Sequence, residues 1–176
     1  MAKFNPALLK VLAHEGGYVN DPDDLGGETY KGIARKSHPA WPGWHMIDQY
    51  KKDKSFPVCM VTNVPLQNLV EKFYLDNFWC PLNIDQIQNQ TSAESVFDFA
   101  VNAGLNTSVR LVQSIVGTNI DGIIGEKTLS KINTMDFGHF QAALTVAKLK
   151  YYMNIIRRRT TSKKFLLGWI SRSLSF

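Results

Sequence analysis

Apolar residues recur at helical spacing along most of this chain, and they predict its elements in order. Leu8, Leu9, Val11 and Leu12 give the first face, behind Asn5 and Pro6, which read as a helix N-cap and first-turn proline. Gly16 and Gly17 stop that helix near Glu15. Over residues 65–79, Leu66, Leu69, Val70, Phe73, Phe78 and Trp79 predict a helix with an aromatic end, closed by Pro81. Thr91 and Glu94 have capping-box spacing and open a helix that Gly104 ends, with Phe97, Ala100 and Val101 inward. Val109, Val112, Ile115 and Val116 share one face of a short helix over 107–116, and another helix starts near Gly125. The longest pattern spans 138–159, where Phe140, Leu144, Ala147, Tyr151 and Ile155 repeat and Tyr152 and Ile156 widen the stripe. A last helix over 162–174 carries Phe165, Leu166, Trp169 and Ile170. No run reads as a central strand. The class is mainly α, with room for a small β-hairpin after the first helix, between residues 18 and 33.

The segment between those two readings, HEGGYVNDPDDLGGETYKGI over residues 14–33, breaks the helical pattern. It sets Asp21, Asp23, Asp24 and Glu28 among two glycine pairs and Pro22, and Tyr18, Val19, Tyr30 and Ile33 anchor it. A carboxyl group fixed where a helix stops, followed by a tight acidic loop, suits glycoside hydrolysis. That reaction needs one carboxyl held fixed and a second polar group across the substrate. A glutamate merely exposed beside its C-cap is the plainer alternative for Glu15, and the surrounding loop weighs against it.

The runs EGGYVNDPDD, GGET and KGI resemble the signature of glycoside hydrolase family 108, the bacterial and phage N-acetylmuramidases. The resemblance extends through FDFAVNAG, LVQ and DGIIGEKT to the FLLGW run at 165–169, and so covers nearly the whole chain. One departure is Leu25, where proline would be expected before the second glycine pair. The resemblance implies a lysozyme-like helical fold with a muramidase catalytic region over residues 1–95. It also implies a helical peptidoglycan-binding-like region over 96–176, packed onto the first as one compact body. DGIIGEKT resembles an element of peptidoglycan-binding modules that is mostly architectural.

The family's EGG glutamate is the catalytic acid, a role that carries over to Glu15. Asp24 follows Glu15 by nine residues and Thr29 by fourteen. Phage-type lysozymes show a similar order of glutamate, aspartate and threonine, although the threonine here falls one residue early. Asp24 is then the water-activating base or charge stabiliser, and Thr29 positions the water. Asp21 and Asp23 flank Pro22 and shape the loop. Tyr18, Tyr30, Trp44 and Asn102 are the candidate substrate contacts. For Trp44, as for Trp41, packing in the core is the alternative to stacking on sugar. For Asn102 the alternative is a structural hydrogen bond.

The implied substrate is the peptidoglycan glycan strand, cut at the β-1,4 bond between N-acetylmuramic acid and N-acetylglucosamine. Acetal hydrolysis by carboxyls and water implies no metal and no organic cofactor. A lytic transglycosylase also uses one glutamate and is the nearest rival. A catalytically silent wall-binding or secretion-assisting protein is another.

The 176 residues suffice for a real core, and 44% apolar content excludes disorder. A charge of +5 favours anionic partners, an anionic wall included, but equally suits ordinary solubility. Nucleic-acid binding lacks an aromatic–basic motif or recognition helix, and Arg157–Arg159 match the end of a helix dipole. Nothing reads as a signal peptide or a membrane span, so synthesis in the cytoplasm and action on the wall are expected, with a holin or another export route between them. A monomer is expected. Cys59 and Cys80 have no metal-ligand spacing and read as reduced, buried thiols; His38 and His45 read as structural or surface.

Overall fold

A computed structural model describes residues 1–20 and 27–176 of the chain. The fold is mainly α and lysozyme-like, with a small antiparallel sheet directly after the first helix. It divides into two compact units, Val11–Asn77 on the one hand, and Met1–Lys10 with Phe78–Phe176 on the other. Helix α1, Phe4–Glu15, contributes residues to each. It begins one residue before Asn5, so Asn5 lies inside it and is not its cap.

In the Val11–Asn77 unit, strands β1 (Tyr18–Asn20), β2 (Glu28–Tyr30) and β3 (Ile33–Ala34) pair antiparallel in sequence order. The expected hairpin is therefore a three-stranded sheet. Helix α2 (Gly43–Tyr50) lies in the stretch where periodicity fails, because only Gly43, Trp44 and Ile47 are buried. Helix α3 (Val64–Tyr74) is capped by Asn63, whose side chain accepts the Leu66 amide at 2.9 Å, and Leu66, Val70 and Phe73 are buried as the pattern predicted. The helix does not run on to Trp79 in α form. It widens into a π-helical stretch, Leu75–Trp79.

The other unit centres on α4 (Gln90–Ala103), in which every residue from Ser92 to Ala100 is buried. Helices α5 (Leu105–Val116) and α7 (Phe137–Arg158) pack on it. Helix α6 (Glu126–Thr134) packs on α5, and a 3₁₀ stretch, Thr160–Phe165, leads into α8 (Leu166–Leu174), which returns to α7. The cap of α4 is Asn89, accepting the Ser92 amide at 2.9 Å, and not the expected Thr91. Glu94 instead accepts from the Lys10 ammonium at 2.6 Å and from Gln90 Nε2 at 2.9 Å. Phe165 is 47% exposed because it precedes α8, while Trp169 stacks on Tyr152 at 4.8 Å. Cys59 is half-buried and Cys80 exposed, both free thiols, so neither is the buried thiol expected. Among the described residues no helix is long and apolar enough to cross a membrane.

The inward face of α7 is Phe140, Leu144, Lys148 and Tyr152, a ladder of fours with a lysine in it. Lys148 is 1% exposed and its ammonium donates to Ser95 Oγ at 2.6 Å. Burial pushes its pKa down to about 8, with Asp98 opposing and Arg172 reinforcing the shift. A lysine depressed in the folded state gives up its proton there first, so above about 8 the unfolded chain binds more protons and stability rises with pH. The gain can reach about 3 kcal/mol at most. Urea midpoints should therefore climb between about pH 8 and pH 9.5 relative to Lys148→Met, which removes the titrating group. Parallel pH curves for the two proteins would refute this.

Candidate active site

Glu15 is the last residue of α1, half-buried, and Gly16 takes φ +68°, the left-handed conformation that ends a helix and turns the chain toward β1. Strand register sets Tyr18 opposite Tyr30, Val19 opposite Thr29 and Asn20 opposite Glu28. Between β2 and β3 the chain reverses in two residues, Lys31 (φ 44°) and Gly32 (φ 78°), a pair of left-handed positions that suits a tight hairpin. The Lys31 amide also donates to Gly17 O at 3.0 Å, tying the turn to the segment after Glu15. A Cβ on Gly32 would lie 2.6 Å from Glu15 Oε2 and 2.5 Å from the Tyr74 hydroxyl. The carboxyl group of Glu15 thus rests against a bare α-carbon of the sheet turn.

Thr29 is half-buried in β2, its hydroxyl 3.4 Å from Gly27 O. Asp24, with Asp21 and Asp23, lies outside the described residues. Tyr18 is half-buried, donates its hydroxyl to Glu28 Oε1 at 2.9 Å and packs edge-on to Phe56. Burial and that bond push its hydroxyl pKa up. Tyr30 and Trp44, expected as substrate contacts, are only 2% and 3% exposed. The Tyr30 hydroxyl meets Gln67 at 3.0 Å, and the Trp44 indole donates to His38 O at 2.8 Å with the Arg35 guanidinium over its ring. Both rings belong to the interior of the unit, because each polar tip finds a partner there and the apolar body fills space between elements. Trp41 is buried with them, edge-on to Trp44. Asn102 belongs to the other unit, where its Oδ1 accepts the Tyr152 hydroxyl at 2.8 Å, the structural hydrogen bond that was the alternative reading.

Sequence reasoning passed over Glu28 as a hub. Its side chain is 11% exposed and meets Arg35 Nε at 2.8 Å and Lys51 Nζ at 2.7 Å, and both cations also bind Asp48. The hydrogen bonds from Arg35 and Lys51 hold the Asp48 carboxyl down at about 2. The network ties β2, the strand that carries Thr29, to α2. Glu28→Gln keeps an acceptor for Tyr18 but leaves two cations to one acid. It should cost about 1–3 kcal/mol in thermal or urea unfolding, less than a fully buried pair because each cation stays about a third exposed. A variant as stable as the parent would show the network to be ornamental. Among the described residues no cluster of three or more His, Cys, Asp or Glu could hold a metal.

Comparison with known proteins bears on this geometry. Residues 8–104, from within α1 to the glycine that ends α4, match the family described as Glycosyl hydrolase 108. The chain belongs to that family. It is therefore a glycoside hydrolase. A second match, to the family described as Predicted Peptidoglycan domain, covers residues 107–174, placing a peptidoglycan-binding domain C-terminal to the first. Together they make this family 108 chain a glycosidase that acts on peptidoglycan, a polymer of the cell wall. A solved structure of Brucella abortus SagA is similar, at 28% identity and a TM-score of 0.71, covering 97% of this chain and 88% of that one. No curated protein matches. Within the second match, Gln113 donates to Asp121 Oδ1 at 2.7 Å and to Ile123 O at 2.9 Å, while the Gly122 amide donates back to Gln113. The LVQ and DGIIG runs thus lock one loop between α5 and α6.

Proposed function

We propose that the family 108 chain is an N-acetylmuramidase that hydrolyses the β-1,4 bond between N-acetylmuramic acid and N-acetylglucosamine. The observation that carries this reading is the position of Glu15, a half-buried carboxyl at the end of α1, seated against the turn of a sheet that carries Thr29. Glu15 is the general acid that protonates the leaving sugar oxygen. Asp24 stabilises charge or activates the water, and Thr29 orients that water. In the same proposal residues 1–95 carry the chemistry and residues 96–176 form a helical peptidoglycan-binding-like region. Carboxyls and water suffice, so no cofactor enters a step.

The product decides between hydrolysis and its rival. A muramidase adds water and leaves a reducing N-acetylmuramic acid end, whereas a transglycosylase closes the muramoyl 6-hydroxyl onto the anomeric carbon and leaves an anhydro end. Mass spectrometry of fragments from purified peptidoglycan should find each reducing-end product heavier than its anhydro form by one water. Anhydro products alone would replace this reading with the transglycosylase, and no products at all would leave a wall-binding protein.

A further inference from the structure

We infer that Tyr74 is a positioning residue for the reaction, holding the Lys31–Gly32 turn as the wall against which the Glu15 carboxyl group is set. The inference rests on the reading of Glu15 as the acid. Three parts of the chain meet here, residues far apart in sequence at 15, 31–32 and 74.

The Tyr74 hydroxyl donates to the carbonyl of Lys31 at 2.7 Å. That carbonyl belongs to the peptide unit joining Lys31 to Gly32, so the bond fixes the plane that carries the Gly32 α-carbon. Tyr74 is 1% exposed, and its ring packs perpendicular to Phe73 at 5.5 Å, so the hydroxyl is delivered by a side chain with little freedom. On the other side of the turn, Lys31 reaches Gln67 Oε1, and Gln67 in turn donates to Tyr30 and to Met60 O. The turn is thus held from α3 twice, once by its backbone and once by its side chain.

Gly32 completes the device. It sits at φ 78°, and a Cβ there would lie 2.6 Å from Glu15 Oε2 and 2.5 Å from the Tyr74 hydroxyl, distances that no real side chain keeps. Both neighbours are ends of side chains, so a methyl group could be accommodated, but only by moving the carboxyl or the hydroxyl. The fold could absorb that shift more readily than the reaction. A general acid displaced by about 1 Å can lose on the order of a hundredfold in rate. The wall therefore needs a residue without a side chain, and the tyrosine keeps that wall in register with the end of α1.

Tyr74→Phe removes the hydroxyl and keeps the ring, and Gly32→Ala adds the methyl group. On solubilised peptidoglycan strands each should lower kcat about 10- to 100-fold with KM within about twofold of the parent, because the substrate's own contacts are untouched. The second measurement needs no activity. With carboxyl-labelled glutamate, the Glu15 ¹³C resonance, assigned by its loss in Glu15→Gln, should move in Tyr74→Phe while the other glutamate resonances hold. An unmoved Glu15 resonance would overturn the inference, whatever the rates. So would a fall in kcat that is matched by the fall in thermal stability and is recovered on cooling. If Glu15→Gln itself kept full turnover, the role of Glu15 as acid would fail, while the resonance would still report whether Tyr74 sets the place of that carboxyl.

Discussion

Glu15→Gln should lower peptidoglycan turnover by at least about two orders of magnitude and leave the fold intact. The amide keeps the shape of the side chain at the end of α1 and against Gly32, but it has no proton to give a leaving oxygen. Because the amide fills the same half-buried place at the end of the helix, stability should stay close to that of the parent. Asp24→Asn should also reduce turnover while binding to insoluble peptidoglycan persists, which separates loss of chemistry from loss of the substrate. Turbidity loss of a wall suspension, paired with thermal melting of each variant, reads both effects. Lysis by Glu15→Gln at the parent rate would remove Glu15 from the mechanism, and a collapsed melting curve would make its inactivity uninformative about chemistry.

The helices that could be read from sequence were those whose burial is one-sided and made by apolar residues. Leu66, Val70 and Phe73 of α3 and Val109, Val112 and Val116 of α5 keep helical spacing and are buried. Helix α2 escaped because its buried face is only Gly43, Trp44 and Ile47, too few positions for a period to declare itself. In α7 the pattern led from Leu144 to Ala147 and Tyr151, whereas the inward face runs through Lys148 and Tyr152. A lysine is read as exposed unless its partners are known, and Ser95 and Asp98 lie on another helix some fifty residues away. The site shows the same division. The place of Glu15 at a helix end was legible from the glycine stop that follows it. Gly32 and Tyr74 were not, because their meeting with Glu15 is made by tertiary packing and leaves no spacing to detect. Tyr30 and Trp44 show the converse, since an aromatic residue in a sequence looks the same whether it lines a cleft or fills a core.

The second large effect is expected in the helical unit, at Asp98. Its side chain is 3% exposed and accepts Arg172 Nε at 2.8 Å, with the Arg172 side chain 10% exposed. The Lys148 ammonium lies close enough for Asp98 to raise its pKa and for Arg172 to lower it. Asp98 thus faces two cations, Lys148 of α7 and Arg172 of α8, from the fully buried stretch of α4. Asp98→Asn keeps the volume and takes a negative charge away from a largely buried guanidinium and a buried ammonium. Breaking a buried pair from one side costs about 3–5 kcal/mol, a large share of the roughly 5–15 kcal/mol that a domain has to lose. With its raising influence gone, Lys148 should release its proton at still lower pH, so the rise of stability with pH should begin earlier than in the parent. Measured above about pH 8, where buried Lys148 has released its proton, Asp98→Leu combined with Arg172→Met removes both remaining charges and should recover most of the loss, since apolar residues of similar size can replace a buried pair at little cost. Urea unfolding of the parent, the single variant and the double variant tests all of this at once. If Asp98→Asn unfolds at the parent midpoint, the buried charges are compensated by something other than Asp98; if the double variant is no better than the single one, the loss comes from packing and not from stranded charge.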